Sequence, residues 1–490
     1  MTKWGLAREQ RRVRRFGKAL VSLTLEAAPD SPRVRRYSSA TLAAPPAAVF
    51  RALQLAWQRP SVLVALTVCL IGVPLGDGAE AGGLNITPAD LSAALLVPVA
   101  VLHHLRARTR PSLSGPIVVG VAAPMAAWLI ATVTATDPSH ALLGLVRNFE
   151  LLVAVPIAVA LSLRSQRDVI VVAIAVLGLA VFEGAVGTYQ YVTGTGAGFG
   201  EVSVRAVGTF GAYDILSMAS VVSFGLLVAL AVALGGHGPL RRGAIGAALV
   251  LALPLALSLS RGAWIATSVA ALIMVAFSGW RSVAVTIGVV GLVAFVSAGI
   301  QPDFGVLGSR AGSVVTSAES PDSSVTDRYD LWGTAFQMWE DNPVTGVGLK
   351  GFALWRDSYA PLSLSSGSDI SDPQGGFRRV ELLSPHNYYL LIASEQGVLG
   401  LTAFAWLLIA LVVGAFRRAR TARPGTLERV VGLFAVGFVI HFMVASIWGD
   451  LSGPLLTSVL LGVVVGYASG LKPAAHRGGQ LPSASSSSAG

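Results

Sequence analysis

Residues 384–415 read SPHNYYLLIASEQGVLGLTAFAWLLIALVVGA, a polar opening that passes into an apolar stretch. An α-helix rises about 1.5 Å per residue, so roughly 20 such residues cross the hydrocarbon core of a bilayer. Comparable apolar runs recur from Ser61 to Leu471. The whole chain is 53% hydrophobic and only 13% charged, with a mean hydropathy of +0.67. Backbone groups in lipid must pair within their own segment or with a closed neighbour, and the short alternating segments of an outer-membrane barrel are not seen. The sequence therefore predicts an all-α polytopic membrane protein.

The pattern divides into about 12 transmembrane helices, near 61–77, 86–104, 114–135, 140–163, 168–190, 209–234, 243–259, 262–279, 282–300, 387–415, 428–449 and 453–471. Five regions follow: a basic tail over 1–60, spans one to nine over 61–300, a polar segment over 301–385, spans ten to twelve over 386–471, and a Ser-rich, disordered tail over 472–490. With the amino terminus in the cytoplasm, 27 of the 36 Lys and Arg residues fall on the tails and inner loops. That asymmetry obeys the positive-inside rule, puts both termini in the cytoplasm, and makes 301–385 a large extracytoplasmic loop.

The net charge of +10 sits mostly where loops meet anionic headgroups, and the tail shows no nucleic-acid fold, so the bilayer is the expected partner and nucleic acid is not. Cys69 is the single cysteine, which excludes an intramolecular disulfide and a thiolate metal cluster; within the first span it reads as a packing residue. The first apolar run starts only after the long basic tail, as in a signal anchor. No fixed repeat is visible, which weakens a transporter built from inverted halves.

The loop carries eleven acids against six bases. Within it, Thr326 to Asn342 reads as an amphipathic helix stopped by Pro343, with Trp332, Phe336 and Trp339 on one face. That face either packs on the bundle or lies at the lipid interface.

Charges in or beside spans are costly and mark candidate sites. Arg147 lies about two turns into the fourth span, Arg205 just ahead of the sixth, and Arg261 between the seventh and eighth. Guanidinium forks suit phosphate oxygens, and three on one side of the membrane suit a pyrophosphate. Singly, Arg147 can pair with Glu150, and Arg205 and Arg261 can snorkel. His386, at the junction of loop and span, has the side chain best able to take a proton near neutral pH; the competing role is a polar cap. Tyr388 and Asn387 follow it, and Glu395 and Asp450 are polar groups near the same half of the bundle, each able to orient a base or an acceptor. His441 reads as an interhelical hydrogen-bonding residue.

Two patterns mislead. Gly346-x-Gly348-x-x-Gly351 has dinucleotide spacing but follows a helix stop in a loop. Asp327-x-x-Asp330 and Asp369-x-x-Asp372 read as caps and turns, so no metal site is expected.

Taken together, four stretches resemble the O-antigen ligase and polymerase family of bacterial envelope glycosyltransferases. They are Asp327 to Phe352, whose helix ends in an Asn-Pro-x-x-Gly-x-Gly turn; Ser384 to Gly400, with His-Asn and then Glu-x-Gly-x-x-Gly; Ser258-Leu-Ser-Arg-Gly-Ala-Trp264; and Arg205-Ala-Val-Gly-Thr-Phe210. The family often carries Asn shortly after that phenylalanine, where this chain has Ala212-Tyr213-Asp214, and the first four spans match in hydropathy alone.

The resemblance implies a GT-C-like helical fold and an enzyme with no cofactor or metal, acting outside the bacterial cytoplasmic membrane. Its donor would be a polyprenyl-pyrophosphate-linked glycan, and its acceptor a hydroxyl on a glycan, wall polymer, lipid or protein. By carry-over, Arg205 and Arg261 hold the pyrophosphate and His386 activates the acceptor; Arg147 is a looser extension, and Asn387, Glu395 and Tyr388 are supporting residues. A base on the far side of the sugar from the leaving group gives inversion. Ligase and polymerase stay undivided, and the competing readings are a flippase for lipid-linked sugars and a non-catalytic scaffold.

Overall fold

A computed structural model describes residues 59–73, 80–81, 84–106, 113–199, 202–211, 215–279, 323–361, 364, 367–372, 376–381, 383–450 and 455–470. Its helices are α1 Pro60–Leu70, α2 Pro88–Arg106, α3 Gly115–Val133, α4 Pro138–Ser162, α5 Gln166–Thr193, α6 Ile215–Gly235, α7 Gly238–Leu257 and α8 Arg261–Ser278. They continue with α9 Ser323–Asp341, α10 Gly351–Tyr359, α11 Tyr388–Thr421, α12 Leu427–Ala445 and α13 Leu456–Ser469.

Among the described residues, nine helices are long and apolar enough to cross a bilayer: α2 to α8, α11 and α12. The first and last expected spans appear as shorter apolar helices, α1 and α13. The expected span at 282–300 and both tails lie outside the described residues. Apolar side chains point outward as well as inward: Leu91, Leu105, Leu240 and Leu249 are each 65–69% exposed, as lipid-facing residues must be. Cys69 is one of these outward residues and does not pack the core. The chain is a multi-pass membrane protein.

Helix starts follow their sequence. Asp137 caps α4 by accepting from the Ser139 and His140 amides, and hydrogen bonds from these two residues hold its carboxyl far below the usual range. Ser165 and Asp168 form a reciprocal capping box on α5. Helix α4 widens into a π turn over Glu150–Ala154 just ahead of Pro156, which has no N–H to give to the ladder.

The expectation of helices alone is corrected to a nearly all-helical chain. Besides the short pair β1 Glu80–Ala81 and β2 Leu84–Asn85, there are β3 Ala197–Phe199, β4 Val202–Arg205, β5 Gly367–Asp372 and β6 Gly376–Glu381. The last four form one antiparallel sheet in the order β4-β3-β5-β6. The Pro373-Gln374-Gly375 sequence between β5 and β6 is a turn signal, and Asp372 pairs with Gly376 across it. Through Gly198 opposite Ser371, this sheet ties the 301–385 segment to the strand that ends at Arg205.

Helix α9 begins at Ser323, three residues before the expected start, and buries Leu331, Thr334, Ala335 and Met338. The aromatic stripe lies one position round the helix from that buried row: Phe336 is 44% exposed, and Trp332 sends its indole N–H to the Pro385 carbonyl (3.0 Å).

Helix α11 is broken at Gly397 (φ 62°, ψ −159°). The turn after α9 fills the break. Val347 and Gly348 amides donate to the Ser394 and Glu395 carbonyls (2.8 and 3.1 Å), while the Val398 and Leu399 amides donate to Pro343 and Val344 (2.8 and 3.4 Å). The two backbones touch so closely that a Cβ at Gly346 would strike the Glu395–Gln396 peptide, and one at Gly397 would strike Val344. Gly397→Ala adds both that overlap and a left-handed backbone penalty, of order 1–3 kcal/mol for the backbone alone. The expected outcome is a melting temperature several degrees lower in detergent, and failure to accumulate if the turn cannot dock; Gly178→Ala, which meets no atom within 4 Å, serves as the control.

Candidate active site

His386 occupies a left-handed backbone conformation (φ 49°) immediately before α11. Its neighbours hold the turn. Asn387 caps α11 by accepting from the Leu390 amide (3.1 Å), Ser384 Oγ accepts the His386 amide (3.2 Å), and the Tyr388 amide donates to the Ser446 carbonyl (2.8 Å) at the end of α12. The His386 Nδ1 lies 3.6 Å from Asp450 Oδ2, an ion-pair distance longer than a hydrogen bond. The same carboxylate oxygen accepts from the Ser384 hydroxyl. The imidazole is 38% exposed and Asp450 only 14%, so the carboxylate sits behind the ring and the ring faces outward.

Arg261 is the first residue of α8. The turn before it is built by its neighbours: Ser258 Oγ donates to Leu255 (2.6 Å), Ser260 caps α8 through the Ala263 amide, and Trp264 returns to the Leu255 carbonyl (2.7 Å). Gly262 packs on Trp448, where a Cβ would stand 3.2 Å from the Trp448 Cβ, two residues before Asp450. The Arg261 and His386 turns therefore meet through residues 446–450. Arg205 ends β4, and the next amide, Ala206, donates to Leu257 (3.3 Å), which sets the Arg205 strand against the same turn.

The segment after Arg205 is clamped from α5. Gln190 accepts from the Val207 and Gly208 amides (3.1 and 2.8 Å) and donates to the Gly208 carbonyl (2.8 Å). Glu183, fully buried in mid-span, accepts from the Thr209 amide (2.9 Å) and hydroxyl (2.8 Å). Neither residue was picked out from the sequence. A lone carboxylate within an apolar span was the available signal for Glu183.

Other expected residues turn out to have structural partners. Arg147 donates to Asp90 and Glu150, both at 2.8 Å, so the pairing with its own helix is present and is joined by a second helix. Glu395, 6% exposed, accepts from the Phe352 amide (3.3 Å) and anchors the turn before α10. Tyr388 is buried, edge-on to Phe404, within electrostatic reach of Glu395 and Asp450. Both ring nitrogens of His441 are buried without a hydrogen-bond partner among the described residues, so the interhelical bond is not made; the ring packs edge-on to Phe224 (5.1 Å). No group of three or more His, Cys, Asp or Glu gathers among the described residues.

The non-glycine residues with positive φ among the described ones are Leu259, Lys350 and His386. They fall in the turns before Arg261, before α10 and before α11. Strained backbone of this kind costs about 1–3 kcal/mol each and persists where surrounding contacts over-determine it, often at functional sites.

Residues 245–405 match the O-antigen ligase family. The matched third of the chain contains all three strained turns, Arg261, His386, and the docking of 343–349 onto the broken α11. The match supports assignment to the O-antigen ligase and polymerase family. No curated protein matches the chain. Asp450 and Arg205 lie outside the matched stretch.

Gln190→Ala strips three hydrogen bonds from the Arg205–Phe210 segment, at roughly 1 kcal/mol net each or more where a buried partner is stranded. The expected outcome is loss of thermal stability together with faster proteolysis at 202–211, while Gln190→Glu, which keeps the acceptor, retains part of both.

Proposed function

We propose that this protein is a membrane glycosyltransferase that moves a glycan from a polyprenyl-pyrophosphate donor to an acceptor hydroxyl on the outer face of a bacterial cytoplasmic membrane, as a polysaccharide ligase or polymerase. The observation that carries the reading is His386 at the mouth of α11, within the segment that matches the O-antigen ligase family, with Asp450 behind its ring from beyond that segment.

Asp450 at Nδ1 favours the tautomer that leaves Nε2 as the acceptor of a proton. An imidazole so oriented takes the acceptor hydroxyl's proton as the new glycosidic bond forms, and Asp450 stabilises the imidazolium that results. The 3.6 Å separation is of the kind that tightens when substrate fills the site. As the anomeric C–O bond to pyrophosphate breaks, negative charge grows on the leaving phosphate, and in this reading Arg205 and Arg261 are the cations that meet it. Arg261 stands on a turn packed against Trp448, beside the 446–450 stretch that also meets the His386 turn, and Arg205 on a strand tied to the end of α7. Attack from the face opposite the leaving group inverts the anomeric centre. Arg147, paired through Nη1 with both Asp90 and Glu150, has a structural part in this scheme.

His386→Asn tests the base without disturbing the fold, because Asn tolerates the left-handed backbone. The expected loss in glycan transfer, with protein level held constant, is about 10²–10⁴-fold. Asp450→Asn is expected to lower the rate by a smaller factor. Full activity in His386→Asn overturns the assignment. Reconstitution with labelled donor separates transfer from translocation, since a flippase moves substrate and forms no glycosidic bond.

Arg205→Lys and Arg261→Lys keep the charge but lose the bidentate fork. Each is expected to cost at least about tenfold in rate, from charge-assisted hydrogen bonds worth about 1.5–3 kcal/mol, with little change in melting temperature.

A further inference from the structure

The carboxyl of Glu183 lies where three segments meet: α5, the turn that closes α1, and the stretch that follows Arg205. Glu183 is fully buried, and no cation forms an ion pair with it among the described residues. Two glycines leave the space it occupies. A Cβ at Gly72 would stand 2.8 Å from Glu183 Oε1, and one at Gly208, whose φ is 65°, would strike Oε2. The Thr209 amide donates to Oε2 (2.9 Å). The Thr209 hydroxyl oxygen stands 2.8 Å from Oε1 and 3.0 Å from the Gly72 carbonyl oxygen.

A threonine hydroxyl has one proton to give. Facing an ionised carboxylate, it can donate to Oε1 or to the Gly72 oxygen, and the other contact then sets two acceptors face to face. One further proton, on Oε1, closes the chain: the carboxylic acid donates to Thr209 Oγ1, and Oγ1 donates to the Gly72 carbonyl. Burial argues the same way, because an ionised carboxylate without a cation is far costlier out of water than a hydrogen-bonded acid. The chain ties the end of α1 and α5 to the Arg205–Phe210 segment, which Gln190 and the Leu257 carbonyl hold from other sides. An acid within a span is otherwise a candidate proton carrier. We propose that Glu183 is instead a positioning residue for Arg205, held as an uncharged carboxylic acid that donates as well as accepts. Its kinetic consequence rests on the glycosyltransferase reading, and its structural one does not.

The test uses the full-length protein in detergent at neutral pH. Infrared spectra of wild type and Glu183→Gln are expected to differ by the carbonyl band of an uncharged carboxylic acid, present in wild type and missing from the variant. Glu183→Gln reproduces the bonds, its amide donating to Thr209 Oγ1 and its carbonyl accepting the Thr209 amide. It is expected to keep melting temperature, resistance to trypsin at Arg205 and glycan transfer at wild-type levels. Glu183→Leu, and the smaller change Thr209→Val, are expected to speed cleavage after Arg205 and to lower kcat/KM for transfer about tenfold. That loss is expected to shrink in an Arg205→Lys background, as it does for residues that act through one another. Where Glu183→Leu fails to accumulate, Thr209→Val and Glu183→Gln decide. Loss of carboxylate bands in place of the acid band, damage by Glu183→Gln equal to that of Thr209→Val, or cleavage after Arg205 unchanged in Thr209→Val would overturn the proposal. If wild type forms no glycosidic bond, the transferase reading fails, and the infrared band and the cleavage still decide on Glu183.

Discussion

A helix broken inside a membrane bundle frees amide and carbonyl groups that water cannot reach, and each must find a partner from the protein. At Gly397 the partners come from the turn 343–349, which lays four backbone hydrogen bonds across the gap. The half of α11 that begins beside His386 is fixed at its other end by that exchange. The turn holds the start of α10 and, through the Leu349 amide on the Ala131 carbonyl (3.2 Å), the end of α3. The first half of α11, with His386 at its mouth, is thus fastened to three other elements before any side chain is considered. The need for bare backbone on both sides explains why Gly346 and Gly397 belong to two separate motifs that resemble the family.

Much of the fold was legible because membrane spans advertise themselves by length and hydropathy. Where the structure departs, local physics had a different answer. Positions 332, 336 and 339 have the right spacing for a packed face, yet Leu331, Ala335 and Met338, one position back, share that spacing and bury instead. The aromatic row is half-exposed, nearer the lipid-interface alternative than the packed one, and an amphipathic ring so placed can use its N–H elsewhere, as Trp332 does on Pro385. The β4-β3-β5-β6 sheet was not legible because its strands are short and its pairing joins segments about 170 residues apart, which spacing rules cannot see.

The candidate site shows the same division. His386, Arg205 and Arg261 stand out as types, but their contacts do not follow from chain order. Asp450 lies 66 residues beyond Ser384, and only folding brings it behind the imidazole. Arg147 drew interest as an intramembrane cation, and the structure gives it two carboxylates, one from its own helix and one from α2. Glu183 does not stand out in the sequence because one acid beyond the first turn of a 28-residue apolar helix barely alters its hydropathy, though its burial makes a charge there costly to leave without partners.

The motifs divide labour in a consistent way. Around His386, Ser384 takes a backbone amide, Asn387 caps the helix, Trp332 holds the Pro385 carbonyl, and Tyr389 ties α11 to Met443 (2.8 Å). Around Arg261, two serines and Trp264 perform the equivalent tasks. Because neighbours carry the scaffolding, the polar side chain paired with the imidazole among the described residues is Asp450, at Nδ1, and the ring's Nε2 makes no hydrogen bond to them. Left-handed strain at His386 and Leu259 is tolerable only because these surrounding bonds over-determine the turns. A side chain held that way loses little further freedom when a substrate arrives, which is the condition under which positioning, and not new contact, lowers a barrier.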